Sequence, residues 1–105
     1  MKIKAWQINP ARDKNNVRFL SLKRAQEINQ GEIDKSIYDE VFSGEVDCKD
    51  LEEVYVLCNL DWPEGYRGKS MSCSDLIEVI KDGESEHWYC DSIGFQRIEP
   101  RRGEE

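Results

Sequence analysis

Two stretches in the second half of the chain carry its clearest structural pattern: Gly68–Ile80, GKSMSCSDLIEVI, and Trp88–Phe95, WYCDSIGF. In the first, three serines and an aspartate precede an apolar run. Ser72 followed by Asp75 has the spacing of a short capping box, which predicts that a helix starts here. Gly83 would end this helix, since glycine tolerates the left-handed backbone that follows many helices.

The second stretch predicts a β-hairpin. Trp88–Asp91 and Phe95–Ile98 have the apolar and aromatic content of strands, and Ser92–Gly94 can turn the chain between them. On a strand, Trp88 and Tyr89 must point to opposite faces.

Periodicity and turn residues predict four further elements. The elements are a strand over Lys2–Asn9, a helix over Val17–Asn29, a short strand over Ile37–Ser43 and a helix over Leu51–Asn59. Asn15 or Asn16 would cap the first of these helices and Gly31 follows it, whereas Asp47 or Asp50 would cap the start of the second. Val56 and Leu57 widen the apolar face of the second helix, which predicts that it is well buried. The predicted fold class is α+β, with about three helices packed on a small, mainly antiparallel sheet.

Length and composition predict one globular domain over residues 1–100 and a disordered polar tail over 101–105. No segment approaches the roughly 20 apolar residues that a membrane span needs, and the first residues do not resemble a signal peptide. We therefore expect a cytoplasmic protein without membrane insertion. The sequence leaves its oligomeric state open.

The four cysteines predict buried free thiols. Cys48, Cys58, Cys73 and Cys90 form no C-x-x-C pair, and their spacing fits no zinc framework. His87 and Cys90 have a ligand-like spacing, but no second pair completes a site. We expect neither a metal nor a cofactor.

The net charge of −7 is unevenly distributed. Residues 1–35 carry eight Lys and Arg against four Asp and Glu, whereas residues 36–99 carry five against sixteen. An acidic body repels phosphate backbones, so no direct contact with nucleic acid is expected. One alternative function uses this acidity, because acids between Glu40 and Glu64 could mimic DNA and block a nucleic-acid-binding protein.

Catalytic motifs are weak. Gly68-Lys-Ser70 ends like a phosphate-binding loop, but Pro63 stands where the first glycine of that motif should be, and we reject it. Cys73 or a nearby serine could act as a nucleophile with His87 as its base. No family-specific catalytic signature surrounds these residues, so a hydrolase or thiol enzyme is only a third hypothesis.

Exposed aromatic residues favour a partner-binding role. Pro63 and two glycines predict a loop over Asp61–Gly68, where Trp62 and Tyr66 are the aromatics most expected to reach solvent. Aromatic and arginine side chains dominate interface hot spots. We predict Trp62, Tyr66 and the adjoining Arg67 as partner-binding residues.

The blocks of residues between Tyr38 and Ile98 resemble the YodL-like domain family of Firmicutes and their mobile elements. The matching blocks are Tyr38–Gly44, Leu51–Tyr55, Asn59–Pro63, Gly68–Ile77 and Tyr89–Phe95. The most specific part is the S-x-S-x-S-D block followed by Y-x-D-x-x-G-F. Its residues are predicted to form a structural motif: Ser70, Ser72, Ser74, Asp75, Tyr89, Asp91, Gly94 and Phe95.

The resemblance implies a non-enzymatic module that occurs alone or in polyvalent proteins of phages and conjugative elements. One stand-alone relative is associated with inhibiting bacterial actin-like cell-shape proteins. No catalytic residue can be carried over. The leading hypothesis is a protein–protein interaction module that modulates a cytoplasmic target.

Overall fold

A five-stranded antiparallel sheet organises the chain. The computed structural model describes residues 1–100, so the predicted tail over 101–105 lies outside the described residues. The sheet has the strand order β2-β1-β3-β4-β5. The elements are β1 Lys2–Ile8, α1 Leu22–Ile28, β2 Tyr38–Glu45, α2 Leu51–Leu60, β3 Leu76–Lys81, β4 Glu84–Cys90 and β5 Phe95–Ile98. Single 3₁₀ turns lie at Pro10–Arg12 and Lys35–Ile37.

The predicted α+β class is confirmed, but the prediction of a third helix after Asp75 is wrong. The apolar run after Asp75 forms β3, which pairs with β1 on one side and β4 on the other. Leu76, Ile77 and Glu78 are all buried, because both faces of the sheet are covered at this end of the central strand. A short apolar run of this kind has no period that separates a strand from a helix.

Gly83 turns a hairpin instead of ending a helix. Asp82 and Gly83 join β3 to β4, and both have positive φ, 54° and 80°. Two positive φ values in a two-residue loop are typical of a type I′ turn, for which Asp-Gly is a preferred sequence.

The sheet separates two apolar cores. Strand β1 was correctly predicted, and a bulge between Ala5 and Trp6 explains its imperfect alternation. The first core lies between the sheet and α2 and contains Ile3, Ala5, Phe42, Val54, Cys58, Met71, Ile77 and Cys90. The second core lies on the opposite face, where α1 packs, and contains Ile8, Val17, Ala25, Ile33, Tyr38, Leu76, Tyr89 and Ile98.

Helix α1 is shorter than predicted. The Asp13 carboxylate accepts hydrogen bonds from the backbone N–H groups of Val17 (2.9 Å) and Arg18 (3.0 Å), which holds this part of the chain in a turn. The helix cap is therefore Ser21, not Asn15 or Asn16, and its hydroxyl accepts from the N–H of Arg24 at 3.3 Å.

Helix α2 begins at Leu51, within the range that the sequence predicted. The Asp50 side chain caps it by accepting from the N–H of Glu53 at 2.9 Å. Val54 and Cys58 are fully buried. The expectation of a widely buried helix is wrong, however, because the side chain of Val56 is 53% exposed. Among residues 1–100, no helix is long and apolar enough to cross a membrane.

Candidate functional site

The serine-rich motif forms hydrogen bonds with segments that are distant in the sequence. Ser74 is completely buried and has a φ of +86°. Its hydroxyl accepts from the backbone N–H of Phe19 at 2.9 Å, and its carbonyl accepts from the Tyr38 hydroxyl at 2.7 Å. Its own N–H donates to the carbonyl of Cys90 at 2.8 Å. One serine thus joins the segment before α1, β2 and the end of β4.

Two more motif side chains, Tyr89 and Asp91, and the neighbouring Cys73 hold the same segment before α1. The Tyr89 hydroxyl and the Cys73 thiol both donate to the carbonyl of Leu20, at 2.7 Å and 3.0 Å. The Asp91 carboxylate accepts from the N–H of Leu22, the first residue of α1, at 3.1 Å. These residues therefore support the start of a helix, but the helix is α1, and the residues that they bond lie 53 to 69 positions earlier in the chain.

Asp75 is the most buried carboxylate of the motif, with 4% of its surface exposed. It accepts from the backbone N–H of Ser72 at 3.0 Å and from Nε2 of Gln7 at 3.1 Å. Burial raises its pKa to about 7, although both hydrogen bonds act in the opposite direction. The predicted capping box is thus a turn before a strand, and Ser72 contributes its backbone N–H to it.

Gln7 ties the segment around Lys69 to β1. Its Oε1 accepts from the N–H of Lys69 at 2.9 Å, and its Nε2 donates to the Lys69 carbonyl at 2.8 Å. The chain approaches closely here, because a Cβ at Gly68 would lie 2.4 Å from Gln7 Oε1 and 2.9 Å from Val41 Cβ. Only glycine fits at this position without movement of its neighbours.

These contacts shape an open cleft of about 580 Å³. The end of β1, the turn at Pro10, the pair Arg18 and Phe19, part of β2, and the segment from Arg67 to Asp75 form its walls. Asp75 lies against this cleft. Its volume is in the range of small-molecule pockets.

Three cationic residues line the cleft: Arg18, Arg67 and Lys69. The Arg67 guanidinium also donates to the Glu40 carbonyl at 3.5 Å, a contact that leaves its charge unneutralised. Within residues 1–100, none of the three forms an ion pair. The one exposed acid of the lining, Asp39, is already paired with Arg12. The cleft is therefore a positive site on an acidic protein.

Phe19 is strained and exposed at the edge of the cleft. Its φ is +71°, a left-handed value that bulky side chains rarely adopt, and 55% of its surface is exposed. The Arg18 guanidinium lies 4.6 Å from the centroid of its ring. Strain of this kind costs about 1–3 kcal/mol and is concentrated at functional sites.

A second candidate surface is the outward side of α2, which we call the α2 face: Glu52, Val56, Leu60 and Trp62. Val56 and Leu60 are one helical turn apart, opposite the buried Val54 and Cys58, and are 53% and 81% exposed. Trp62, two residues beyond the helix, is 52% exposed. The four-residue spacing of Val56 and Leu60 is a sequence signal for an apolar side of the helix, although it does not show which side of α2 is exposed.

The surroundings of the α2 face are acidic. Residues 45–64 contain seven Asp and Glu but one Lys. A groove of about 460 Å³ runs beside the start of α2, lined by Leu51, Val79 and Trp88 with Glu52 and Glu86 among its acids. Trp88 and Tyr89 do face opposite sides of the sheet, and Tyr89 is the one that is fully buried.

The predicted partner-binding residues lie on two different surfaces. The rings of Trp62 and Tyr66 are stacked, with centroids 5.8 Å apart and planes at 18°. Tyr66 is half-buried against the first core, and its hydroxyl donates to the Lys69 carbonyl at 2.6 Å. Arg67 lines the cleft. Their role in binding a partner stays a prediction.

Comparison with known proteins identifies the family. The sequence model of the YodL-like domain matches residues 2–100. The chain belongs to the YodL-like domain family. No curated protein and no solved structure matches it.

In this YodL-like domain the candidate nucleophile and base have separate surroundings. Burial raises the pKa of the Cys73 thiol, which disfavours the reactive thiolate. His87 lies beside Lys35 and Glu78, with Nε2 2.9 Å from the Lys35 ammonium and 3.5 Å from the Glu78 carboxylate.

Two further members of the YodL-like motif, Gly94 and Phe95, contribute to the β4–β5 hairpin. Gly94 has a φ of +66° in the turn, where its carbonyl accepts from the N–H of Asp91 at 2.9 Å. Phe95 packs edge-on against Tyr55. Ser70 lines the cleft.

His87 and Cys90 lie on opposite faces of β4, and residues 1–100 contain no His, Cys, Asp or Glu cluster suited to a metal ion.

Proposed function

We propose that this YodL-like domain is a non-enzymatic protein-interaction module that modulates a cytoplasmic target protein. The observation that carries the proposal is the α2 face, where Val56, Leu60 and the following Trp62 expose apolar surface on the side of α2 that faces away from the core. When a helix has apolar residues on both sides and only one side packs into the core, the other side is available to a partner.

Charge complementarity defines the chemistry of that partner. The α2 face is surrounded by acids, including Glu52 and Asp61 at its two ends, so a segment with apolar residues flanked by Lys and Arg fits it best. The partner would bury Val56 and Leu60, and its basic residues would meet the acidic rim.

The acidic-inhibitor alternative uses the same charges differently. A surface built to receive a DNA-binding protein needs free carboxylates, but here Asp50 caps α2 and Glu53 contacts Lys49 at 3.6 Å. Exposed Val56 and Leu60 would contribute little to mimicry of a phosphate backbone. High salt would disrupt a mimic complex much more strongly than an apolar one.

Photo-crosslinking tests the proposal. A crosslinking amino acid replaces Val56, and in a matched control it replaces Ile93, which is exposed on the β4–β5 turn. The first purified probe is a bacterial actin-like cell-shape protein, as the family resemblance suggests. We expect crosslinks from position 56 alone, to a peptide with apolar residues beside Lys or Arg.

Binding measurements with the purified crosslinked protein complete the test. The double substitution Val56→Ser, Leu60→Ser should weaken binding at least about tenfold, because buried hot-spot side chains contribute about 2 kcal/mol or more. Ile93→Ser should leave the affinity unchanged. Equal crosslinking from both positions, or full affinity in the double variant, would refute the role of the α2 face.

A further inference from the structure

We propose that the cleft between β1 and the Arg67–Asp75 segment binds a phosphorylated planar metabolite of mononucleotide size. Its phosphate would contact Arg67 and Lys69, and its ring would pack against Phe19. This site is separate from the α2 face, so either proposal can fail without the other.

The cations that line the cleft have no acidic partner in the described part of the chain. The domain carries a net charge of −7, yet Arg18, Arg67 and Lys69 line one cleft, and within residues 1–100 they have no carboxylate partner. Three like charges on one concave surface repel one another and attract an anion. Arginine offers a planar fork of donors that fits phosphate oxygens, and lysine adds a point charge.

The acids at the cleft do not cancel this attraction. Asp39 is neutralised by Arg12 and also accepts a hydrogen bond from Asn9 at 3.0 Å. Asp75 is buried, and both its hydrogen-bond donors, the N–H of Ser72 and the Gln7 amide, come from the protein. Burial raises its pKa to about 7, so it is largely uncharged in mildly acidic solution.

Phe19 offers an aromatic surface for the planar part of the ligand. Glycine would adopt a φ of +71° without strain, yet the chain has a bulky phenylalanine at this position. Its backbone N–H is held by Ser74, more than half of the residue's surface is exposed, and its ring lies beside the Arg18 guanidinium. An exposed aromatic ring next to an arginine is the arrangement on which nucleic-acid bases stack.

The segment with Arg67 and Lys69 is held in place before any ligand arrives. Gln7 bonds both backbone groups of Lys69, and the N–H of Arg67 donates to the Val41 carbonyl at 2.8 Å. Between them, position 68 has no room for a Cβ atom, and glycine occupies it. A fixed backbone reduces the entropy cost of binding. The motif differs from a phosphate-binding loop, since a strand follows it instead of a helix.

Titration of the ¹⁵N-labelled domain with the four common ribonucleoside monophosphates tests the proposal. Adenosine and inorganic phosphate serve as the two half-ligands. We expect at least one monophosphate to shift the amide signals of Phe19, Lys69 and Ser70 saturably, with a lower Kd than either half-ligand.

Matched variants locate the site. Arg67→Gln with Lys69→Gln should raise the Kd at least about tenfold, since hydrogen bonds between charged groups are strong. The control pair Lys23→Gln with Arg24→Gln removes the same charge from the exposed side of α1 and should leave the Kd unchanged. Phe19→Ala should weaken the monophosphate but not inorganic phosphate.

Three results would overturn the proposal. One is no saturable shift at about 10 mM of any of the four monophosphates, far above useful affinity. Another is an equal loss of affinity in both charge-matched pairs, which would indicate a general charge effect. The last is binding of inorganic phosphate as tight as that of the monophosphates, which would exclude a role for the ring. Circular dichroism checks that each variant is folded, and Phe19→Gly replaces Phe19→Ala if the latter is not.

Discussion

The backbone N–H of Phe19 donates a 2.9 Å hydrogen bond to the hydroxyl of Ser74, and both residues have positive φ, +71° and +86°. They are 55 positions apart in the sequence. The bond fixes the edge of the cleft to the start of the central strand β3. Two strained residues that hold each other in place link the structural motif to the candidate ligand site.

Replacing Phe19 with glycine should not destabilise the domain, although it removes a large apolar side chain. Glycine relieves the left-handed strain, and most of the ring is exposed, so we expect the free energy of unfolding to stay within about 1 kcal/mol of wild type or to rise. Urea denaturation measures the change. Gln30→Gly, at an exposed residue with φ +60°, is the control for strain relief alone. A loss above about 2 kcal/mol, typical of core aromatics, would contradict this account of Phe19.

The two serines of the motif should differ in their effect on stability. Ser74→Ala removes the acceptor for the Phe19 N–H and should lower the free energy of unfolding by about 1–2 kcal/mol. Ser72→Ala should change it by less than about 0.5 kcal/mol, because Ser72 bonds Asp75 through its backbone N–H. Thermal and urea unfolding of both variants decide the matter. Equal losses of unfolding free energy in the two variants would mean that the hydrogen bond of the Ser74 hydroxyl does not stabilise the domain more than Ser72 does.

Asp75 should make the domain more stable as the pH falls from about 7 to about 4. Its folded pKa, raised by burial to about 7, lies above the unfolded value of about 3.9. The folded state therefore binds the proton more tightly over this window, and stability declines as the pH rises through it. Urea denaturation between pH 5 and 8 should show this slope in wild type and a much weaker one in Asp75→Asn.

Two other carboxylates, Asp39 and Glu78, affect the free energy of unfolding at lower pH, where they destabilise the domain as the pH falls. The hydrogen bond from Arg12 lowers the pKa of Asp39, and bonds from Ser85 and Lys35 outweigh the burial of Glu78 and lower its pKa too. Their stabilisation is lost only as the pH falls below about 4.5. An unchanged slope in Asp75→Asn above pH 5 would show that Asp75 is not its source.

Neighbouring valines of α2 should have opposite roles. Val54→Ala opens a cavity in the first core, where Val54 is fully buried, and should cost about 2 kcal/mol or more of unfolding free energy. Val56→Ser alters an exposed residue and should cost less than about 1 kcal/mol. Chemical denaturation of the two single variants gives both values. A large loss from Val56→Ser would mean that the α2 face serves folding and not a partner.

The local elements with a strong period were predictable. Strand β1 alternates apart from its bulge, and α2 combines an aspartate cap with apolar residues at helical spacing. The β4–β5 hairpin follows from its aromatic content and its turn glycine. In each of these cases the residues that determine the structure are neighbours in sequence, so periodicity and turn chemistry suffice.

Much of the candidate site was not predictable in this way. Val56 and Leu60 have the spacing of an apolar helix face, and only packing shows that the opposite face, with Val54, enters the core. The cleft combines Gln7, Phe19 and Lys69, which no local pattern relates. The motif residues were recognised as structural, but their partners before α1 were not.

The sequence alone determined the family, the α+β class, the acidic charge and the elements whose signals are local. Tertiary structure decided that Leu76–Lys81 is a strand, since pairing with β1 and β4 and burial on both faces outweigh a helix-like start. It also decided where α1 begins, because hydrogen bonds with Ser74, Tyr89 and Asp91 hold the preceding segment in a turn outside the helix. Local propensities differ by fractions of a kcal/mol per residue, whereas burial and long-range hydrogen bonds contribute more at each of these positions.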